Sequence, residues 1–108
     1  MHLRWSPAAV EDLFRIIEYI QQENPAAAQR IAKTIYESAG SLKSFPNKGR
    51  AGRVGGTREL PLPPLPFVVV YRILTDTVEI ANVIHGHRNG RKKIEVGRPD
   101  TRLLSASQ

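Results

Sequence analysis

Two histidines stand two residues apart in V-I-H-G-H-R, at positions 85 and 87, with Arg88 directly after them. Residues i and i+2 of an extended strand share a face, so His85 and His87 would present neighbouring imidazoles, each able to give or take a proton near neutral pH. Arg58, Arg72 and Arg88 could converge with them at one end of a sheet. A base, an acid and cations for developing phosphorane charge are what metal-free RNA cleavage by a 2′-hydroxyl requires. The plainer reading of His85 is a partly buried strand-end residue bonded to backbone, and Arg72, which continues an apolar run, would pair with Glu59 or Glu79. A metal site at the two histidines is poorly supported, because no cysteine or nearby carboxylate completes a ligand set. Neither metal nor cofactor is expected.

A second group of cations lies in GRAGRVGGTREL, Gly49 to Leu60, with four glycines and three arginines in twelve residues. A phosphate-cradling loop needs a strand before it and a helix after it, so that free N–H groups at the helix N-terminus meet the anion. Here helical periodicity precedes and strand periodicity follows, and no Gly-Lys-Ser/Thr occurs. A disordered Arg-Gly segment would sit at a chain end, whereas this one is short and internal. An ordered loop is left, with Gly55-Gly56 turning the chain before a strand. Arg50 and Arg53 have no evident core duty in it, which favours contact with a partner.

The 108 residues suffice for one domain with one core. With 41% hydrophobic and 24% charged residues the composition is that of a soluble globular protein. No cysteine is present, which removes disulfides and thiolate metal sites. The N-terminal segment lacks the apolar run of a signal peptide and no stretch is long enough to span a bilayer, so a cytoplasmic protein with no membrane partner is expected. The net charge is +6, and residues 1–45 hold five basic and five acidic groups, so the whole excess falls in 46–108. Lys48, Arg50, Arg53 and Arg58 form one cluster and Arg88, Arg91, Lys92 and Lys93 another. A one-sided basic field suits nucleic acid or an acidic protein, although a solvated surface that only keeps the chain soluble has the same composition.

The elements that must position these groups read in order. His2-Leu3-Arg4-Trp5 suits a short strand. Ser6-Pro7 is an N-cap followed by proline at the first helical position, with Glu11 and Asp12 near the positive helix end. Val10, Leu13, Ile17 and Ile20, widened by Phe14 and Ile16, form an apolar stripe, and a helix from Pro7 to Glu23 is expected. Asn24-Pro25 repeats the start signal, and Ala28, Ile31, Ala32, Ile35, Ala39 and Leu42 form a second stripe. Two helices so close in sequence must fold into an antiparallel hairpin. Arg58-Glu59-Leu60 starts an extended segment, Pro61 to Pro66 is broken by prolines, Phe67 to Leu74 reads as a buried strand, and Thr75-Asp76-Thr77 turns into an alternating strand ending at His85. The expected fold class is α+β: an N-terminal strand, the helical hairpin, then a three-stranded antiparallel meander forming one small sheet. Residues 1–90 would form the domain and 91–108 a loosely ordered basic C-terminal tail.

The motifs W-S-P-A-A-x-x-D-L-x-x-I-x-x-Y-I, E-N-P-A-A-A-x-R, P-x-x-G-R-x-G-R-V-x-G-T-R-E-L, P-F-V-V-V-Y-R-I and V-I-H-G-x-R occur in this order over residues 1–88. Together they resemble the ParE branch of the RelE/ParE toxin superfamily, the plasmid-stabilisation toxins of type II toxin–antitoxin systems. The resemblance implies the fold derived above. It also implies growth arrest by binding and poisoning DNA gyrase, and a cognate acidic antitoxin that folds over the toxin to give a hetero-oligomer. The RelE branch instead enters the ribosome and cleaves mRNA. RelE-like nucleases carry an arginine directly after the aromatic that opens the central strand. Here that position is Val68, after Phe67, and valine stabilises no charge. The lysines those nucleases carry on the preceding strand also have no counterpart in Arg58-Glu59-Leu60-Pro61.

The gyrase reading therefore leads, with target contacts expected at Arg50, Arg53, Arg58 and Arg88. The alternative is a ribosome-dependent, metal-independent mRNA endonuclease using Arg58, Arg72, His85, His87 and Arg88. A non-catalytic nucleic-acid-binding module ranks third, because the helices are neutral on balance and offer no basic recognition helix. Antitoxin contacts are expected at Phe14, Ile16 and Tyr36, on helix faces left exposed. Trp5 and Tyr19 read as core or helix-packing aromatics rather than base-stacking platforms.

Overall fold

Both helices begin where their caps dictate. Ser6 is extended (φ −70°, ψ 157°) and its hydroxyl accepts a hydrogen bond from Ala9 N at 3.1 Å. Asn24 does the same for the second helix, its Oδ1 accepting from Ala27 N at 3.0 Å. Each cap satisfies an N–H that the first helical turn leaves open, and proline follows where it has no N–H to lose. A computed structural model describes residues 1–86 of the chain. Its elements are β1 (His2–Trp5), α1 (Pro7–Gln21), α2 (Pro25–Gly40), a 3-10 turn (Ser41–Lys43), β2 (Arg50–Ala51), β3 (Arg58–Pro61), β4 (Phe67–Ile73) and β5 (Thr77–His85). The tail expected at 91–108 and the domain end placed at residue 90 lie outside the described residues, as do His87 and Arg88. Helix α1 stops at Gln21, before the expected Glu23. The Glu23 N–H reaches back only three residues, to Ile20 O at 3.1 Å, tightening the last turn as Asn24 leaves to cap α2.

The expected meander is present, β3 pairing antiparallel with β4 and β4 with β5, but the sheet is larger, with five strands in the order β1-β5-β4-β3-β2. The N-terminal strand lies parallel beside β5, from His2 opposite Thr77 to Trp5 opposite Ile80. Its partner is distant in sequence, so no hairpin forces it antiparallel. The fifth strand, Arg50–Ala51, lies inside the stretch read as loop and pairs with β3. Two residues are too few to show a period.

One face of the sheet is covered by the hairpin. Ala9, Ile35, Ala39 and Leu42 pack with Val69, Tyr71, Val78 and Ile80 in a single core. The opposite face holds a smaller buried group, Val68, Val70 and Ala81, with Ile84 against it.

The β4–β5 register shifts between Val70, opposite Asn82, and Tyr71, opposite Ile80, so that Ala81 is extra. This bulge is held from α1. The Ser6 hydroxyl donates to Ala81 O at 2.9 Å, and Asp12 Oδ2 accepts from Asn82 Nδ2 at 2.8 Å and Val83 N at 3.0 Å. Side chains thereby satisfy the backbone groups that a bulge takes out of the ladder.

Candidate partner-binding surfaces

The Gly/Arg stretch is an ordered hairpin. Gly52 N donates to Thr57 O at 2.8 Å, Thr57 N donates to Val54 O at 3.1 Å, and Gly56 has the positive φ of 82° that the turn requires. Glu59, 3% exposed, anchors it from β3: one carboxylate oxygen accepts from Arg53 N at 3.0 Å and the other lies 3.4 Å from Arg50 Nη2. The Arg50 side chain is 58% exposed despite that pairing. Arg53 is also exposed and has further interactions of its own. Arg58 is placed differently. Its Nη2 donates to Asn47 O at 3.1 Å and Gly49 O at 2.6 Å, tying the preceding loop to β3.

The residues considered for RNA cleavage are not gathered at one end of the sheet, which corrects that expectation for Arg58, Arg72 and His85. Arg58 lies opposite Tyr71 and Arg72 opposite Glu79, whereas His85 lies opposite Phe67. Five strand positions from Phe67 to Arg72 are about 16 Å. The faces differ too, because alternation puts Arg72 on the side opposite Phe67, while the His85 ring stands edge-on to the Phe67 ring at 4.9 Å. His85 itself is exposed rather than partly buried. Of the two pairings considered for Arg72, Glu79 is the one formed, with Nη1 3.8 Å from Oε1. The same buried carboxylate accepts from Arg4 Nε at 3.2 Å and Nη2 at 2.8 Å through its other oxygen.

Between the far end of the helical hairpin and the Phe67 end of the sheet lies an open apolar groove of about 520 Å³, lined by Ile16, Tyr19, Ile20, Ile31, Phe67 and His85, with Arg15 at its edge. Tyr19 is 74% exposed and lines the groove, so of the core or helix-packing roles expected for it the core role is not the one it takes. Of the three residues expected to meet an antitoxin, Ile16 lines this groove. Phe14, two positions earlier and so about 200° away around the helix, is 63% exposed on a flank with Val10. Tyr36 is 62% exposed and stacks on Trp5 at 6.1 Å, which makes Trp5 a helix-packing residue as expected. Of the three, only Ile16 lines the groove; Phe14 and Tyr36 lie outside it.

Two features were not legible beforehand. Tyr19, Ile20, Ile31 and Phe67 look like ordinary core in a periodicity count, and Phe67 is buried while Ile20 and Ile31 pack against the core, yet all four also line an open groove. Phe45, 64% exposed after the 3-10 turn, carried one signal in the sequence: an aromatic beside a proline, beyond the end of the α2 stripe.

A helical hairpin on one face of a five-stranded mixed sheet carries these surfaces. The fold matches a solved structure described as the chromosomal ParDE TA system from P. aeruginosa, with TM-score 0.74 and 26% identity, covering 80% of this chain and 96% of that one. The Y4kP protein of Sinorhizobium fredii is 40% identical over 80% of this chain and 88% of its own length. Toxin RelE2 of Caulobacter vibrioides is 37% identical over 78% of this chain and 93% of its own. The family model for the ParE toxin of the type II toxin–antitoxin system parDE matches residues 3–90. The chain belongs to this family, within the RelE/ParE toxin superfamily. Among the described residues no helix is long and apolar enough to cross a membrane.

Proposed function

We propose that this toxin arrests growth by binding and poisoning DNA gyrase, and that an acidic antitoxin silences it by lying along the helical layer. The observation that carries the gyrase reading is Val68. It stands directly after the aromatic that opens the central strand, is 4% exposed, and occupies the place where RelE-like nucleases carry an arginine. A buried aliphatic side chain offers nothing to a phosphorane. The separation of Arg58 and Arg72 from His85, and the use of Arg58 to hold a loop, support the same conclusion. Target contact falls to the exposed cations of the edge hairpin, Arg50 and Arg53, while Arg58 contributes by shaping the loop beside them and Arg88 stays a candidate from the sequence.

Antitoxin binding is supported by the groove at Ile16 and Tyr19 and by the exposed rings of Phe14 and Tyr36. A segment that folds on binding can cover such scattered apolar patches and be degraded once released. The resulting complex would be a cytoplasmic hetero-oligomer, and loss of the antitoxin would give the growth arrest by which such a pair stabilises a plasmid.

Controlled expression followed by two readouts on the same cells tests the proposal. Cleaved plasmid with intact mRNA is the expected result. Codon-phased cuts in ribosome-bound mRNA with intact DNA would overturn it in favour of the nuclease reading, which the name of the similar toxin RelE2 supports.

A further inference from the structure

Phe45 is the one aromatic between Tyr36 and Phe67, and it is 64% exposed on a loop tied down by several hydrogen bonds. The Tyr71 hydroxyl donates to Pro46 O at 2.6 Å and accepts from Gly49 N at 2.9 Å. Arg58 holds the Asn47 and Gly49 carbonyls, and Lys48 N donates to Phe45 O at 3.1 Å. Gly49 is buried so tightly that a Cβ there would lie 2.7 Å from both the Tyr71 hydroxyl and Glu59 O. A buried tyrosine, an arginine and a glycine thus hold in place a loop whose most prominent side chain is an exposed phenyl ring.

The chain on either side of that ring carries charge of one sign. Residues 41–58 contain Lys43, Lys48, Arg50, Arg53 and Arg58 and no acid, and the first acid beyond them, Glu59, is buried against Arg50 and Arg53 N. A large apolar side chain on a preorganised loop loses little entropy on docking, and cations around it steer an acidic surface into register.

We propose that the loop from Ser44 to Gly49 is the grip of this toxin on its protein target, Phe45 entering an apolar pocket on an acidic face of DNA gyrase. The proposal rests on the gyrase reading above. Nucleic acid suits the loop less well. Single strands are held by successive aromatics above free cations, whereas Phe45 stands alone, Arg50 pairs with Glu59 and Arg58 is occupied by loop carbonyls. The helical groove is a separate surface. Tyr71, which holds the loop, is four strand positions from Phe67, which lines the groove, about 13 Å along β4.

Wild-type chain, Phe45→Ser and Phe45→Leu are titrated onto reconstituted bacterial DNA gyrase and, separately, onto a single-stranded DNA oligonucleotide, with thermal midpoints measured for all three. The expected result is binding of wild type to gyrase, a loss of about tenfold or more for Phe45→Ser, partial recovery for Phe45→Leu, and unchanged midpoints. Equal gyrase affinity for wild type and Phe45→Ser would overturn the proposal while leaving the gyrase reading intact. A loss confined to the oligonucleotide would overturn it in favour of a base-stacking role. Failure of the wild type to bind gyrase would overturn the gyrase reading and, with it, the partner assigned to Phe45.

Discussion

Asp12 serves two elements with one oxygen. From the second turn of α1 it accepts from the Asn82 amide and from Val83 N, so a single carboxylate docks the helix and completes a bulged ladder. Replacing it with alanine leaves a half-buried backbone N–H and a side-chain amide without their acceptor. Asp12→Ala is expected to cost about 1–3 kcal/mol of unfolding free energy, read as a lower urea midpoint at unchanged slope. A midpoint equal to wild type would show that water replaces the carboxylate at no cost. In the sequence Asp12 was visible only as an acid near a helix N-terminus. Its true partners are 70 and 71 residues away, which no local pattern can encode.

At the scale of elements, α1 is apolar on more of its circumference than the core uses. Ile16 and Ile20 pack inward, while Phe14 and Tyr19 face solvent on different flanks. A helix with two exposed apolar flanks is suited to being covered twice, by a segment that crosses from the Phe14 side to the groove. Tyr19→Ser, at a rim position that carries no core packing, is expected to weaken binding of the cognate antitoxin by about tenfold or more with an unchanged thermal midpoint. Undiminished affinity in a titration would place the antitoxin away from the groove. The stripes were legible because a helix buries every third or fourth residue. Which exposed residues form one patch was not, since that depends on how the helices are set against the sheet.

For the molecule as a whole, charge is unevenly distributed along the chain. Residues 1–45 are neutral on balance and carry the helical layer, while the basic excess begins at residue 46 and includes the edge hairpin and the Phe45 loop. Separation of this kind lets a long-range field bring partners in and short-range apolar contact hold them. Association with an acidic antitoxin is therefore expected to slow by about tenfold between low and high salt, with dissociation nearly constant, as stopped-flow traces at two ionic strengths would show. An association rate indifferent to salt would mean that the basic groups play no part in capturing the antitoxin.

The order of every element but β2, both helix starts, the meander and the family were written in local signals: Ser6-Pro7, Asn24-Pro25, the apolar stripes, and G-R-x-G-R-V-x-G-T-R-E-L before P-F-V-V-V-Y. Such signals survive in one dimension because caps, turns and periodicities act between residues a few positions apart. Tertiary structure alone decided that β1 lies parallel to β5, that Arg50–Ala51 forms a fifth strand, that Arg72 and His85 stand at opposite ends and faces of the sheet, and that Arg58 and Tyr71 hold up Phe45. Each of these depends on strand register or on contacts between residues far apart in the chain, and a shift of one position in pairing would have sent the same side chains to the other face.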